Sequence, residues 1–145
     1  MSYNNIQTKL ETAALELVNA ALPSGYTATT GQDDETQVAN SVHVIAGQGS
    51  EVEGLQATGL YRMPLTVRVR SNANDKTEAE HESACGALFD AINVDDLPAQ
   101  LSATSVSDFH CLGISGPSTL NTEVTNGESW ATDLVLSLIV CGSDL

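Results

Sequence analysis

Residues 60–92 read LYRMPLTVRVRSNANDKTEAEHESACGALFDAI, and two periods meet in them. Over 60–71, Met63, Leu65, Val67 and Val69 alternate with Arg62, Pro64, Thr66, Arg68 and Arg70. A period of two puts the first set on one face of a strand and the second on the other, so one face enters a core and the other is polar. Pro64 has no N–H to give to a ladder, which predicts an unpaired side near the start of this strand. After Asn72-Ala73-Asn74 the period changes. Asp75, with Glu78 three residues on, predicts a capping-box start, and Glu80 and Glu82 add acid near the positive helix end. Ala84/Cys85, Leu88 and Ile92 then form one apolar stripe, and Asp95-Asp96-Leu97-Pro98 predicts its stop.

Working outward, residues 3–21 place Ile6, Leu10, Ala13, Leu17 and Ala21 at helical steps, with Asn4 or Asn5 as cap and Pro23 and Gly25 as the stop. TATTGQDDETQ (27–37), with its acids Asp33, Asp34 and Glu35, is polar and reads as a loop. SVHVIA (41–46) is short, β-branched and bounded by Asn40 and Gly47, which predicts a strand. The glycine-studded stretch 47–59 follows and reads as a hairpin arm reaching away from its domain, with Val52 and Leu55 its apolar anchors. Toward the C-terminus, VSDFHCLGI (106–114) reads as a strand. WATDLVLSLIVC (130–141) reads as a longer one, with Trp130, Thr132, Leu134, Leu136, Leu138 and Val140 on one face. The stretch between them reads as a long loop carrying a hairpin signal at Asn126-Gly127. The expected architecture is a single α+β domain over 1–145: a mostly antiparallel sheet, two helices packed on one side, in the order α-β-β-α-β-β.

Bulk composition narrows the function. Five basic residues against 19 acidic ones give a formal charge of −14 over 145 residues. Nucleic-acid binding works by basic side chains displacing counterions from phosphates, so this balance argues against it, and against anionic membrane surfaces. No stretch approaches the roughly 18 apolar residues of a membrane span, and residues 1–5 lack the basic flank of a signal peptide. Cys85, Cys111 and Cys141 are odd in number, far apart and set in apolar surroundings, which predicts buried, reduced thiols without a metal.

The residue types that carry chemistry do not assemble into a catalytic pattern. His43 and His110 fall in predicted strands and read as satisfied strand histidines. His81-Glu82 resembles the start of a zinc-protease helix, but the position four residues after His81 is Cys85, and two ligands make no site. Asp33-Asp34-Glu35 and Asp95-Asp96 lack the alternating ligands and central glycine of a calcium loop. Gly47, Gly49, Gly54 and Gly59 lack the spacing of a phosphate-binding loop. The expectation is a protein that is not an enzyme, with no catalytic, cofactor-binding or metal-binding residues.

One feature points to an interaction. Arg62, Arg68 and Arg70 are three of the five basic residues and share the polar face of one strand. In so acidic a chain this stripe predicts a docking face for carboxylates on a neighbouring copy, where arginine forks pair well. With Val52 and Leu55 on the arm, these five residues are the expected subunit interface.

Two stretches, residues 60–92 and the segment VSDFHCLGISGPSTLNTEVTNGESWATDLVLSLIVCG (106–142), together resemble the tail terminator proteins of long-tailed bacteriophages. The first is a long alternating strand turning straight into a helix. The second is a penultimate strand, a long loop and an aromatic-led last strand. The resemblance is one of architecture, covers nearly the whole chain, and transfers no functional residue. It implies a structural virion protein of the tail or neck, assembled in the host cytoplasm. It also implies a ring, expected to be hexameric, at the head-proximal end of the tail tube. There it would end tube polymerisation and join the tail to the head connector, with DNA passing through unread. Its expected partners are copies of itself, a tail tube protein and a head–tail connector protein, with no membrane. The alternatives are another neck or tail subunit (a head-completion or tube protein) and a small-molecule-binding α+β domain.

Overall fold

The computed structural model describes residues 6–31, 40–51, 60–125 and 129–141. Ten elements follow in the order α1 (Ile6–Ala20), β1 (Thr27–Thr30), β2 (Ser41–Ala46), β3 (Ser50–Glu51), β4 (Leu60–Asn72), α2 (Glu78–Ile92), α3 (Leu97–Ser102), β5 (His110–Ile114), β6 (Thr119–Thr125) and β7 (Ser129–Cys141). The strands make one seven-stranded sheet, ordered β1-β2-β4-β7-β5, with β3 beside β4 and β6 beside β7. Every pairing is antiparallel except β1 on β2.

The quoted stretch does what its periods predict. β4 buries Met63, Leu65, Val67 and Val69, and across the ladder Leu138, Leu136 and Leu134 of β7 sit on the same face. With Val42 and Val44 of β2 they meet Leu10, Ala13 and Val18 of α1 and Leu88 and Ile92 of α2 in one cluster. Helices α1 and α2 both touch β4 and β7, and touch each other. No described helix lies on the opposite face, where Ile45, Thr66, Val135 and Ile139 are partly buried in its middle and Arg70, Ser129, Ala131 and Cys141 are buried toward its ends. Pro64 falls in the gap between the β2 pairing, which ends at Leu65, and the β3 pairing, which begins at Arg62. Its carbonyl still accepts from Gly47 N–H at 2.8 Å. A missing donor costs nothing in that gap.

Several expectations are corrected. Thr27–Thr30 is a strand rather than loop. Its threonines are β-branched, but three of the four residues are exposed and no apolar alternation announced them. The α2 capping box lies two residues later than predicted: Thr77 Oγ1 accepts from Glu80 N–H at 3.2 Å, and Thr77 N–H donates to Glu80 Oε1 at 3.0 Å. Asp75 instead accepts from Asn40 Nδ2 at 2.6 Å. α2 ends at Ile92, ahead of Asp95-Asp96-Leu97-Pro98 as expected, but Leu97-Pro98 also begins a further helix, α3, because proline in a first turn has no helical partner to lose. Residues 119–125 form β6 rather than part of a loop. With β1, β3, α3 and β6 added, the six-element order is too short. The described part of the arm does not reach away either: a Cβ on Gly47 would stand 2.6 Å from Pro64 Cγ, and one on Gly49 2.8 Å from Met63 Cε, so 47–51 lies against β4. Val52, Leu55, the acids at 33–35 and the Asn126-Gly127 turn lie outside the described residues.

Candidate functional site

Helix α2 covers β4 and β7 but stops short of β6, so β6 projects past it as a ledge. Between them lies an open cleft of about 310 Å³, its walls drawn from α2, β6 and the start of β7. Leu120 and Val124 line it from β6 and are 65% and 61% exposed. Leu120 pairs with Leu134 and Val124 with Trp130, so both stand on the helix side of the sheet. Trp130 contributes the end of the floor. On the opposite wall Glu78, Glu82, Gly86 and Asp90 follow at steps of four along one flank of α2. Four large hydrophobic side chains are exposed among the described residues (Leu112, Ile114, Leu120 and Val124), and all belong to β5 or β6. A concentration of this kind marks an interaction surface more often than scattered apolar residues do.

The bottom of the cleft is polar and closed. His81, 2% exposed, lies at 2.6 Å from Ser71 Oγ through Nδ1 and at 2.9 Å from Thr132 Oγ1 through Nε2. Ser71 Oγ continues to the Tyr26 hydroxyl, and Thr132 Oγ1 to Thr122 Oγ1 at 2.9 Å. Lys76 Nζ sits 5.6 Å from the centre of the Tyr26 ring, and His81 stacks on Trp130 with 6.1 Å between ring centres. Hydroxyls from three strands and one loop edge are thus chained to one helical histidine, and among the described residues no buried side-chain nitrogen or oxygen lacks a partner.

Cys85 Sγ stands 3.5 Å from His81 Nε2, an approach of a thiol to an imidazole. A working pair of this kind needs a thiolate beside an imidazolium. Here burial pushes the Cys85 thiol up, and burial pushes His81 down against the opposing pull of Glu82 and Glu78. Both shifts favour the neutral forms, so the pair is a packed hydrogen-bonded contact. Cys111 and Cys141 are also buried and unbridged, the Cys111 thiol raised to about 11 by desolvation. Among the described residues no group of three His, Cys, Asp or Glu side chains could hold a metal. No described helix is long and apolar enough to cross a membrane.

The arginine stripe lies where its period put it, on the open face of β4, but each member meets its own chain. Arg68 donates from Nε to Asp133 Oδ1 at 2.7 Å and from Nη2 to Oδ2 at 2.9 Å, directly across the β4–β7 ladder. Arg70 is 4% exposed and donates to Ser129 Oγ at 3.3 Å. Arg62 remains exposed, its Nε donating to Ser115 Oγ at 2.8 Å. Asp133 was the partner that strand alternation could have supplied, since it is the one acid on the outward face of β7. His43, the third residue abreast, is satisfied by Thr29 Oγ1 and Ser41 Oγ. The ledge residues Leu120 and Val124 were passed over because TLNTEVT was read as loop, although they alternate with polar residues at period two. No protein-family model matches this chain, and no curated protein matches it.

Proposed function

We propose that this protein is a non-enzymatic assembly subunit that associates with copies of itself through the open face of its sheet. The observation that carries the reading is the helix-free face of β2, β4 and β7. There Ile45, Thr66 and Val135 lie abreast and Ile139 lies beside Arg62, the four of them only partly buried and Arg62 exposed. Taking α1 and α2 as the cover of the other side, the sheet has a ready surface for a second layer, which in a two-layer domain a neighbouring chain supplies. Burial that disfavours a Cys85 thiolate supports a reading without thiol catalysis. Within this class the proposed role is that of a phage tail terminator: a closed ring, hexameric by resemblance, in the neck of the virion. It caps the tube protein, meets the head connector and lets DNA pass. The reading rests on architecture and surface, and on a balance of 5 basic to 19 acidic residues that disfavours gripping DNA.

Light scattering on the purified chain, followed by electron microscopy, tests it. A closed ring is expected. Lysine at both Val135 and Ile139 should give folded monomers, because each side chain is partly exposed in the single chain. A parent that stays monomeric when concentrated and mixed with a tail tube protein would refute the proposal, and open filaments would favour a tube subunit.

A further inference from the structure

The cleft between α2 and β6 is a second surface, distinct from the open face, and its chemistry specifies what it takes. Its floor, Leu120, Val124 and Trp130, is apolar. Its wall carries Glu78, Glu82 and Asp90 on one helical flank, with no basic residue in the lining. Floor and wall come from a sheet and from the side of a helix standing on it, so an occupant must show apolar and basic groups on adjacent sides. An extended strand shows side chains only on two opposite faces, whereas a helix shows them all round. The acids fall four and then eight residues apart, with Gly86 at the step between, so they share the one flank along which lysines or arginines of a parallel or antiparallel helix would lie.

We infer that this cleft docks an amphipathic helix with a basic flank, contributed by a different protein, its apolar stripe on Leu120 and Val124 and its basic flank against Glu78, Glu82 and Asp90. A second copy cannot supply it: α1 carries Lys9 with Glu11 and Glu16, and α2 and α3 carry no lysine or arginine. The docked helix would lie beside α2 and extend the helical layer over the ledge, a helix-in-groove contact. The inference holds whether or not the chain forms a ring.

The test uses the whole chain and its single tryptophan, Trp130, which lies in the cleft and reports occupancy by its emission. The probe is a synthetic four-turn amphipathic peptide with leucines on one stripe and lysines on one flank. Its controls are the same peptide with glutamate for lysine and a scrambled peptide of equal composition. The lysine peptide should shift Trp130 emission, gain helical circular dichroism on binding, and bind at least tenfold more tightly than either control. Serine at both Leu120 and Val124 should abolish the shift while leaving the fold intact, since both side chains are exposed. Lysine at both Glu82 and Asp90 should reverse the preference between lysine and glutamate peptides. Equal binding of all three peptides would overturn the inference, as would an unchanged affinity in the serine variant. Amide protection along β6 without helix gain would replace the helix by an added strand. Dissociation of a parent oligomer by the serine substitutions would make the cleft a contact between copies, and a Trp130 response to benzamidine but to no peptide would make it a small-ligand cleft. Each of these three also overturns it.

Discussion

Strands β4 and β7 lie side by side over thirteen residues each, and their two faces join them by opposite means. On the covered face leucines and valines interlock under α1 and α2, and a buried polar tie, Ser71–His81–Thr132, runs through a histidine that burial biases toward its neutral form. On the open face the tie is an ion pair, Arg68 on Asp133, each side chain about a quarter exposed at 27% and 21%. Burial explains the division. A charge is expensive to take out of water, so the covered side holds hydroxyls and one imidazole, while the partly exposed middle of the other face keeps the Arg68–Asp133 pair and the buried Arg70 beside it donates to Ser129. The same difference says where function can sit: the covered side is committed to stability, and the open face and the β6 ledge remain for contacts.

The largest expected effect is on the covered face. Leu136→Ala should cost about 2–5 kcal/mol, the range for removing a buried leucine from a packed core, because Leu136 is 1% exposed between Leu65 and the helices. Its neighbour Val135 points the other way and is partly exposed, so Val135→Ala, which also removes less side chain, should cost well under half as much in the monomer. Urea titration of the two variants checks the contrast. Equal losses would mean that the open face is packed against something in the isolated chain.

The covered face was the legible part. Period two in 60–71 and 130–141, and period 3.6 in α1 and α2, each report which side chains leave water, and burial follows. Leu65, Val67, Val69, Leu134, Leu136, Leu138, Leu88 and Ile92 are all in the cluster for that reason. The α1 stripe drifts only at its end, where Ala14 and Val18 are buried and Leu17 and Ala21 partly so. What the sequence did not disclose depends on partners distant in the chain. β1 exists because β2 is there to pair with it, and β6 because β7 is. Arg68 finds Asp133 65 residues away, through a register that no local pattern specifies. The cleft needs α2 and β6 brought side by side, which only the assembled sheet does.

A second contrast separates the two polar ties by pH. Burial lowers the folded-state pKa of His81 beneath its ordinary value of about 6.5. As pH falls through that value the unfolded chain takes up a proton that the folded chain refuses. Unfolding is thereby favoured, and stability declines until the folded pKa is passed. Glu78 and Glu82, the acids that act on this ring, oppose the trend without cancelling it, because desolvation is the larger effect. His81→Gln should cost about 1–3 kcal/mol near neutrality, the cost of disturbing buried hydrogen bonds. It should also flatten the loss of stability just below pH 6.5. A slope unchanged in the variant would assign the titration to another group.

The smallest expected effect belongs to the open-face tie, and it decides how the arginine stripe works. A partly exposed ion pair is worth about 0.2–1 kcal/mol, and salt weakens it, so Arg68→Ala should barely move the melting of the monomer. A double-mutant cycle with Asp133→Ala should return a coupling of that size, smaller at high salt. Association provides the sharper reading. If Arg68 serves only to join β4 to β7, then Arg68→Glu harms the chain through repulsion from Asp133, and adding Asp133→Arg restores both folding and oligomer together. If Arg68 also meets acid on a neighbouring copy, the exchanged pair refolds but presents the wrong sign outward, and the double variant stays monomeric. Melting temperature and native mass, measured on the same three proteins, therefore distinguish a tie within the chain from one that also reaches across an interface.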